Sequence, residues 1–583
     1  MRTKYFFLSL IFTVLFAQVI FAQKLVILHT NDMHSKLTGF GPELAYTPMS
    51  INDDNTRGGF ARLATLFNQE KQKNPNATLI VDAGDFLMGT IFHADEQNEG
   101  FQLRLMKKMG YDFVTLGNHE FDFGPDALAK IINTSRSKGE IPQIVASNLI
   151  FSPEPDADNG LEKLFKEESI IKYAITEKNG IKIGIIGIVG KDADDVAPNA
   201  KPVRFDNQIK TVKKLADELK NKQNVDLLIC LSHSGFYPDG KGGYEGEDLK
   251  LAAKVKNLDV IISGHTHVKT EKAITVDNTI IVQTGAYASN LGRLELNIEN
   301  KKVKSFDFRL IPVDDKIIGD NTVNNLINDY KQVVSAKYFK PLELNYEKPI
   351  AETNFPVKRN SLKDKSVGTM GQFVADAIKY YVDKHSEKVD LTIVASGTIR
   401  EEILPGKITA PDIFRISPLG SGKDDVPGYA LSKIYINAKE VKKLMEVIVM
   451  AQHPGDDSYI NFSGMSIDAD KDKMMLHKVQ KVYFNGKELD VSKDNKKLYS
   501  IAASSYLLQF IGRIKKISHG LIKIVPKDKN GNPVTDMSKQ VIDFDTNKNG
   551  VQEGKTWVAL IEYIESFKDT NENGLTEIPV KYK

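Results

Sequence analysis

Five short apolar runs in the first half of the chain all end in the same way. Residues 25–28 lead to Asn31-Asp32-Met33-His34, and residues 79–81 to Asp82-Ala83-Gly84-Asp85. Residues 113–116 lead to Gly117-Asn118-His119-Glu120, with Asp122 just beyond. Residues 227–231 lead to Ser232-His233-Ser234-Gly235, and residues 260–262 to Ser263-Gly264-His265-Thr266-His267. Each reads as a buried strand that opens into a tip of Gly, Asp, Asn and His. Helical apolar spacing over residues 59–72 and 208–222 makes the alternation an α/β pattern. In open α/β sheets ligands bind beyond the carboxyl ends of the strands, so five such tips are expected to meet in one place. A single tip would carry little weight. Five together point to one shared site.

The residue types select the chemistry. Asp, Asn and His without a thiolate suit a hard to borderline divalent cation, and zinc and manganese both fit. Asp32, His34, Asp85, Asn118, His233, His265 and His267 are more donors than one tetrahedral ion needs. They suffice for two ions with Asp85 between them. Two ions roughly 3.5–4 Å apart can clamp the attacking and leaving oxygens of an in-line phosphoryl displacement, with a hydroxide available between them near neutral pH. His119 adjoins Asn118 but is expected to face the substrate. Asp122 is placed to orient it and favour its protonated form. A cationic imidazole there stabilises developing charge or the leaving oxygen.

Length and composition bound the rest. At roughly 100–200 residues per domain, a chain of 583 residues implies two to four domains. Lys plus Arg number 78 and Asp plus Glu 76, a formal net charge of +2. No polybasic face for a nucleic-acid polymer or a membrane is expected, while a small anionic substrate needs only a local site. One cysteine, Cys230, excludes a disulfide within the chain and reads as an inert buried thiol. Arg2 and Lys4, then an apolar stretch over residues 5–22, read as a cleaved leader and place the chain in the periplasm or elsewhere outside the cytoplasm. The expected organisation is a leader over 1–22, a first domain over 23–313, a connection over 314–346 with an amphipathic helix at 323–337, and a second domain over 347–583. In that second domain, helices are expected at 369–384 and 438–450 and a strand at 391–395. His29 reads as a core residue and His93 as a surface one. Two Asp-x-Asn-x-Asn-Gly stretches, at Asp545 and Asp569, look like the start of a calcium loop but lack its closing glutamate, and Asn-Gly turns explain them equally well.

The five tips together resemble the calcineurin-like metallophosphoesterases. Gly58-Gly59-Phe60-Ala61-Arg62, the Asp82–Asp85 tip and the second half bring the chain closer to the bacterial 5′-nucleotidase / UDP-sugar hydrolase family. That resemblance implies an α/β fold, a four-layer α-β-β-α sandwich followed by a separate α+β substrate-binding domain. It implies one ion on Asp32, His34 and His267, the other on Asn118, His233 and His265, and Asp85 shared. Ser396-Gly397-Thr398-Ile399-Arg400 matches a substrate-binding segment, with Arg400 for an anionic group. Arg359 stands for a second substrate arginine. Leu419, in Pro418-Leu419-Gly420-Ser421, takes the place of a base-stacking Phe, and Tyr506 retains the second aromatic face. The implied activity is release of phosphate from nucleoside monophosphates. The alternatives are hydrolysis of 2′,3′-cyclic nucleotides or of UDP-sugar pyrophosphates, or a surface binding protein with a structural metal site.

Overall fold

The computed structural model describes residues 23–154, 156–361, 365–451, 459–474, 476–511 and 522–583, and the expected leader lies outside them. The first half contains two sheets. One has seven strands: β1 (Gln23–Thr30), β2 (Thr78–Asp82) and β3 (Phe113–Val114) run parallel at its centre. Gln143–Val145 and Ile170–Ile171 extend it on one side, Asn290–Glu299 and Lys302–Pro312 on the other. The other sheet has six strands, with β4 (Leu227–His233) and β5 (Val260–Ser263) parallel at its centre.

Alternation along the strands explains the layers. Leu25 and Ile27 of β1 pack with Ile229 and Leu231 of β4, which closes the space between the sheets. Their neighbours face outward. Val26 and Leu28 meet Phe60 and Phe67 of α1 (Phe60–Lys73), while Leu228 and Cys230 meet Val212 and Leu215 of the helix Gln208–Asn221. Helix α2 (Glu247–Lys254) follows in the chain, between β4 and β5. Successive strand side chains point to opposite faces, so strands apolar at every position need cover on both sides. The result is the expected four-layer α-β-β-α sandwich. Each fully buried Leu or Ile contributes about 1.5–3 kcal/mol. Cys230 is buried, and His29 is a core residue stacked on Phe308 at 6.0 Å.

Beyond the first half, α3 (Asn321–Val334) is entered through the Asp320 side chain, which accepts from Val323 N at 3.0 Å. This helix covers the expected amphipathic segment and continues through a wider turn at Ser335–Phe339. It is packed on the first half. Tyr330 stacks on Phe101 at 4.1 Å and donates to Phe92 O at 2.9 Å. The second half is α+β. Its four-stranded sheet runs Leu431–Asn437, Leu498–Ser504, Leu391–Ala395, Ile460–Ser463, with helices Met370–His385 and Ala438–Ala451.

Buried ion pairs join the halves. The Arg415 guanidinium donates to Glu43 Oε2 at 2.8 Å, Glu401 Oε2 at 3.0 Å and Asp412 Oδ1 at 2.6 Å. Lys36, between the rings of Phe40 and Tyr287, pairs with Glu401. Charges removed from water are tolerated here because each has an opposite partner. The same packing overturns one expectation. His93 is not at the surface but fully buried, between Phe123 at 5.7 Å and Phe414 of the second half at 5.8 Å. Its exposure could not be judged without the second half that covers it. At the two Asn-Gly stretches, Asp545 accepts from Asn547 N and Asp569 from Gly574 N, the hydrogen bonds of turns. Among the described residues no helix is long and apolar enough to cross a membrane.

Glu96 generates a stability prediction. It is buried, accepts from Gln102 N at 3.1 Å, and burial pushes its carboxyl from an ordinary value of 4.5 up to about 8. Between those values the unfolded chain has released a proton that the fold retains, so stability falls as pH rises through this window. Thermal melts at about pH 5 and about pH 8 are expected to show Glu96→Gln gaining stability relative to the parent at the higher pH. An unchanged difference would remove Glu96 as the cause.

Candidate metal centre and substrate cleft

The strand ends reach the site through left-handed backbone. Asp32 (φ 51°), His34 (φ 49°), Asp85 (φ 54°), His265 (φ 76°) and His267 (φ 55°) all adopt a conformation that non-glycine residues avoid. Such residues cost about 1–3 kcal/mol each and persist only where surroundings hold them. Here the loops hold one another. Asp32 N donates to Gly84 O at 2.9 Å, His34 N to Asp85 O at 2.9 Å and His265 N to Asp32 Oδ1 at 3.0 Å. Gly117 allows the closest approach, since a Cβ there would lie 2.2 Å from Asp85 Oδ1.

All seven expected donor positions come together. His34 Nδ1 donates to Met88 O at 2.8 Å, which leaves Nε2 as a lone pair 3.0 Å from His267 Nε2. Asp32 Oδ1 lies 3.7 Å from His267 Nε2. His233 Nδ1 donates to Ala83 O at 2.8 Å, and its Nε2 lies 3.1 Å from Asp85 Oδ2 and 3.2 Å from Asn118 Oδ1. His265 Nδ1 is 3.0 Å from the same Asn118 oxygen. Three overlapping groups result, Asp32–His34–His267, Asp85–His233–His265 and His34–Asp85–His119, the last joining the other two, with Asp85 Oδ2 3.9 Å from His34 Nε2.

The donor chemistry fits divalent cations. Burial holds the imidazoles of His34 and His267 well below their ordinary range, so both are neutral and offer lone pairs. Burial opposes ionisation of Asp85, but His233 and then His119 outweigh it and keep the carboxylate charged. Backbone carbonyls fix which nitrogens of His34 and His233 face inward, a usual device around metal-ligating histidines. The neutral imidazoles of His34 and His267, a carboxamide oxygen and a shared carboxylate suit zinc or manganese, while His233, whose protonation burial opposes but Asp85 favours, raising its pKa to about 10, gives up a proton on binding an ion.

His119 stands beside this cluster. Its Nδ1 lies 2.7 Å from Asp122 Oδ2, and its backbone N donates to Asp85 Oδ1 at 2.9 Å. Burial works against its proton, but Asp122 and Asp85 prevail and raise its pKa. The sequence reading missed several supports. Glu120 accepts from the backbone N–H groups of Asp85, Leu87 and Gly117, and so ties two donor loops. Asn31 donates to Asp32 Oδ2 at 2.6 Å, and Tyr287 packs on His34 and His267. Glu120 and Asn31 lie inside the tips that were read, whereas nothing nearby in the chain distinguishes Tyr287.

The second half faces the same space. The Arg400 charge acts on His34, His119 and His267. Arg359 Nη1 donates to Arg400 O at 2.8 Å, which makes it a support for the Arg400 backbone. Leu419 is buried, beside Thr398, Ser417 and Tyr429. Tyr506 stacks on Tyr429 at 5.0 Å and 18°. Tyr429 was not singled out by sequence. An open cleft of about 720 Å³ runs between the halves, walled by Asp122, Phe123 and Asn199 on one side and Gly422 and Asp425 on the other.

Comparisons with known proteins agree with this layout. Residues 25–269 match the calcineurin-like phosphoesterase family, and residues 347–514 match the 5′-nucleotidase C-terminal domain. The trifunctional nucleotide phosphoesterase protein YfkN of Bacillus subtilis (strain 168) is 25% identical over 509 residues, covering 83% of this chain and 32% of that protein. The chain thus spans about a third of that relative's length. The 5′-nucleotidase of Vibrio vulnificus (strain CMCP6) is 26% identical over 512 residues, covering 80% of this chain and 82% of that one. The crystal structure of a 5′-nucleotidase precursor from Thermus thermophilus superposes with a TM-score of 0.67 at 20% identity, covering 95% and 99% of the two chains, and shows the same fold.

A metal-response experiment tests the cluster. Adding Mn²⁺ to chelator-treated protein is expected to raise the melting temperature, since a ligand at a hundred times its Kd stabilises by about 2.7 kcal/mol per site. Asp85→Asn, which removes the shared carboxylate, is expected to lose at least half of that rise. An equal rise in both proteins would exclude Asp85 from metal binding.

Proposed function

This chain belongs to the metallophosphoesterases that join a calcineurin-like domain to a 5′-nucleotidase C-terminal domain, a family of metal-dependent phosphoester hydrolases, and we propose that it is an exported 5′-nucleotidase acting on nucleoside monophosphates. One observation carries the reading: the charge of Arg400, in the second half, acts on His34, His267 and His119, the last of which pairs with Asp122. A substrate phosphate can therefore meet both halves at once. The names of the Vibrio relative and of the Thermus structure support the choice of substrate class. The export reading rests on residues 2–22.

Asp32, His34 and His267 would hold one cation, Asn118, His233 and His265 the other, and Asp85 both. When bound, the pair supplies Lewis acidity and lowers the pKa of water towards ~7. The protein's own groups do the rest. Arg400 presents a planar fork of donors to phosphate oxygens and fixes their orientation. His119, kept protonated by Asp122, carries a proton on Nε2 for the oxygen on which charge develops. Arg359 supports Arg400 through its carbonyl. Tyr506 with Tyr429, and Leu419 beneath, offer the apolar flank of the leaving group. The cleft of about 720 Å³ between the halves is lined by Asp122, the partner of His119.

Phosphate release from AMP, UDP-glucose, 2′,3′-cyclic AMP and p-nitrophenyl phosphate, measured on protein reconstituted with manganese or zinc, tests the substrate class. AMP is expected to give the highest kcat/KM. Hydrolysis of the others with none of AMP would overturn the reading. His119→Ala is expected to lower kcat by about 10²–10⁴ while metal content stays at the parent level. Retained turnover in that variant would remove His119 from the reaction.

A further inference from the structure

Asp248 lies behind the metal cluster and has no part in the chemistry described so far. It sits in the first turn of α2 and is fully buried, and among the described residues no Lys, Arg or His pairs with it. Its carboxylate is nevertheless fully engaged. Oδ1 accepts from Ser232 Oγ at 2.6 Å, and Oδ2 accepts from Ser263 Oγ at 2.5 Å and from Gly235 N at 3.2 Å. Ser232 and Ser263 are direct partners in the parallel register of β4 and β5, so both hydroxyls stand on the last rung of those strands. The next residue after Ser232 is His233, and two residues after Ser263 is His265. A buried carboxylate without a counter-ion is costly unless hydrogen bonds satisfy it, and each of these three comes from a strand end or loop that carries a donor histidine.

We propose that Asp248 is a positioning residue for one cation of the pair: it sets the gap between the ends of β4 and β5, so that His233 Nε2 and His265 Nδ1 reach the same Asn118 oxygen, at 3.2 and 3.0 Å. The other group does not depend on it in the same way. Asp32 and His34 follow β1, and His34 is oriented by Met88 O. The effect of losing Asp248 is therefore larger for the ion at His233 and His265 than for the other, whose group it reaches through His267, four residues beyond Ser263. The inference rests on the two-ion reading of the site and not on the identity of the phosphoester.

The test is a calorimetric titration of the full, chelator-treated chain with Mn²⁺. The parent protein is expected to take up two ions. Asp248→Asn keeps the volume but replaces one of the two acceptor oxygens by an NH2 donor, and it is expected to weaken one ion about 10–100-fold and the other by a clearly smaller factor. Its kcat for AMP at limiting Mn²⁺ is expected to fall and to recover in excess Mn²⁺, with KM unchanged. Ser263→Ala removes one of the three hydrogen bonds and is expected to weaken the same ion by a smaller factor. If Asp248→Asn does not fold, Ser263→Ala decides by the same criterion. Two ions bound with parent affinities, or both weakened equally, would overturn the proposal. A parent protein that binds two ions but leaves AMP intact would refute the nucleotidase reading and leave this titration valid.

Discussion

The structure depends on crowding lone pairs and negative charge into a space nearly closed to water. Asp32, His34, Asp85 and His233 are at most 1% exposed, and donor atoms from five different strand ends are linked by contacts of hydrogen-bond length. At most one proton can lie between the facing nitrogens of His34 and His267, because both rings are held neutral. Asp32 and Asp85 are buried close enough for each charge to oppose the other, and burial together with that repulsion pushes Asp32 up to about 7. Only a strongly cationic guest satisfies so many donors at once. Much of the first half can be understood as the means of keeping these groups together. Two sheets with both faces covered supply rigid strand ends, and interlocked loops hold left-handed residues that would otherwise relax.

The second half adds a permanent cation, Arg400, whose charge acts on His34, His119 and His267. Glu401, the residue after Arg400, is fixed by Lys36 and Arg415 in a buried interface, which holds the Arg400 backbone beside the first half. Lys36 is itself two residues from His34, and its ammonium rests on the ring of Tyr287, which packs against His34 and His267. The contacts that dock the second half therefore run through the residues that shape the cluster. Docking and substrate presentation are two aspects of one interface.

Much of this was legible in the chain and some was not, for physical reasons. The α/β sandwich was readable because strands covered on both faces are apolar at every position, as in residues 25–28 and 227–231. The helix at Met370–His385 and the strand Leu391–Ala395 were readable from local spacing. The convergence of seven donors followed from where strand ends lie in such folds. The buried setting of His93 was not readable, since packing by Phe414, more than 300 positions away in the chain, creates it. Nor was Tyr429, whose stack on Tyr506 depends on how a hairpin in the second half folds back. Asp248 lay in an ordinary amphipathic helix, and only the shared rung of Ser232 and Ser263 reveals its place.

The most direct measurement of the central claim is anomalous diffraction from crystals grown with manganese or zinc. The account predicts two peaks about 3.5–4 Å apart within the cluster, with Asp85 between them, Asp32, His34 and His267 around one, and Asn118, His233 and His265 around the other. A single peak, or peaks remote from Asp85, would contradict it.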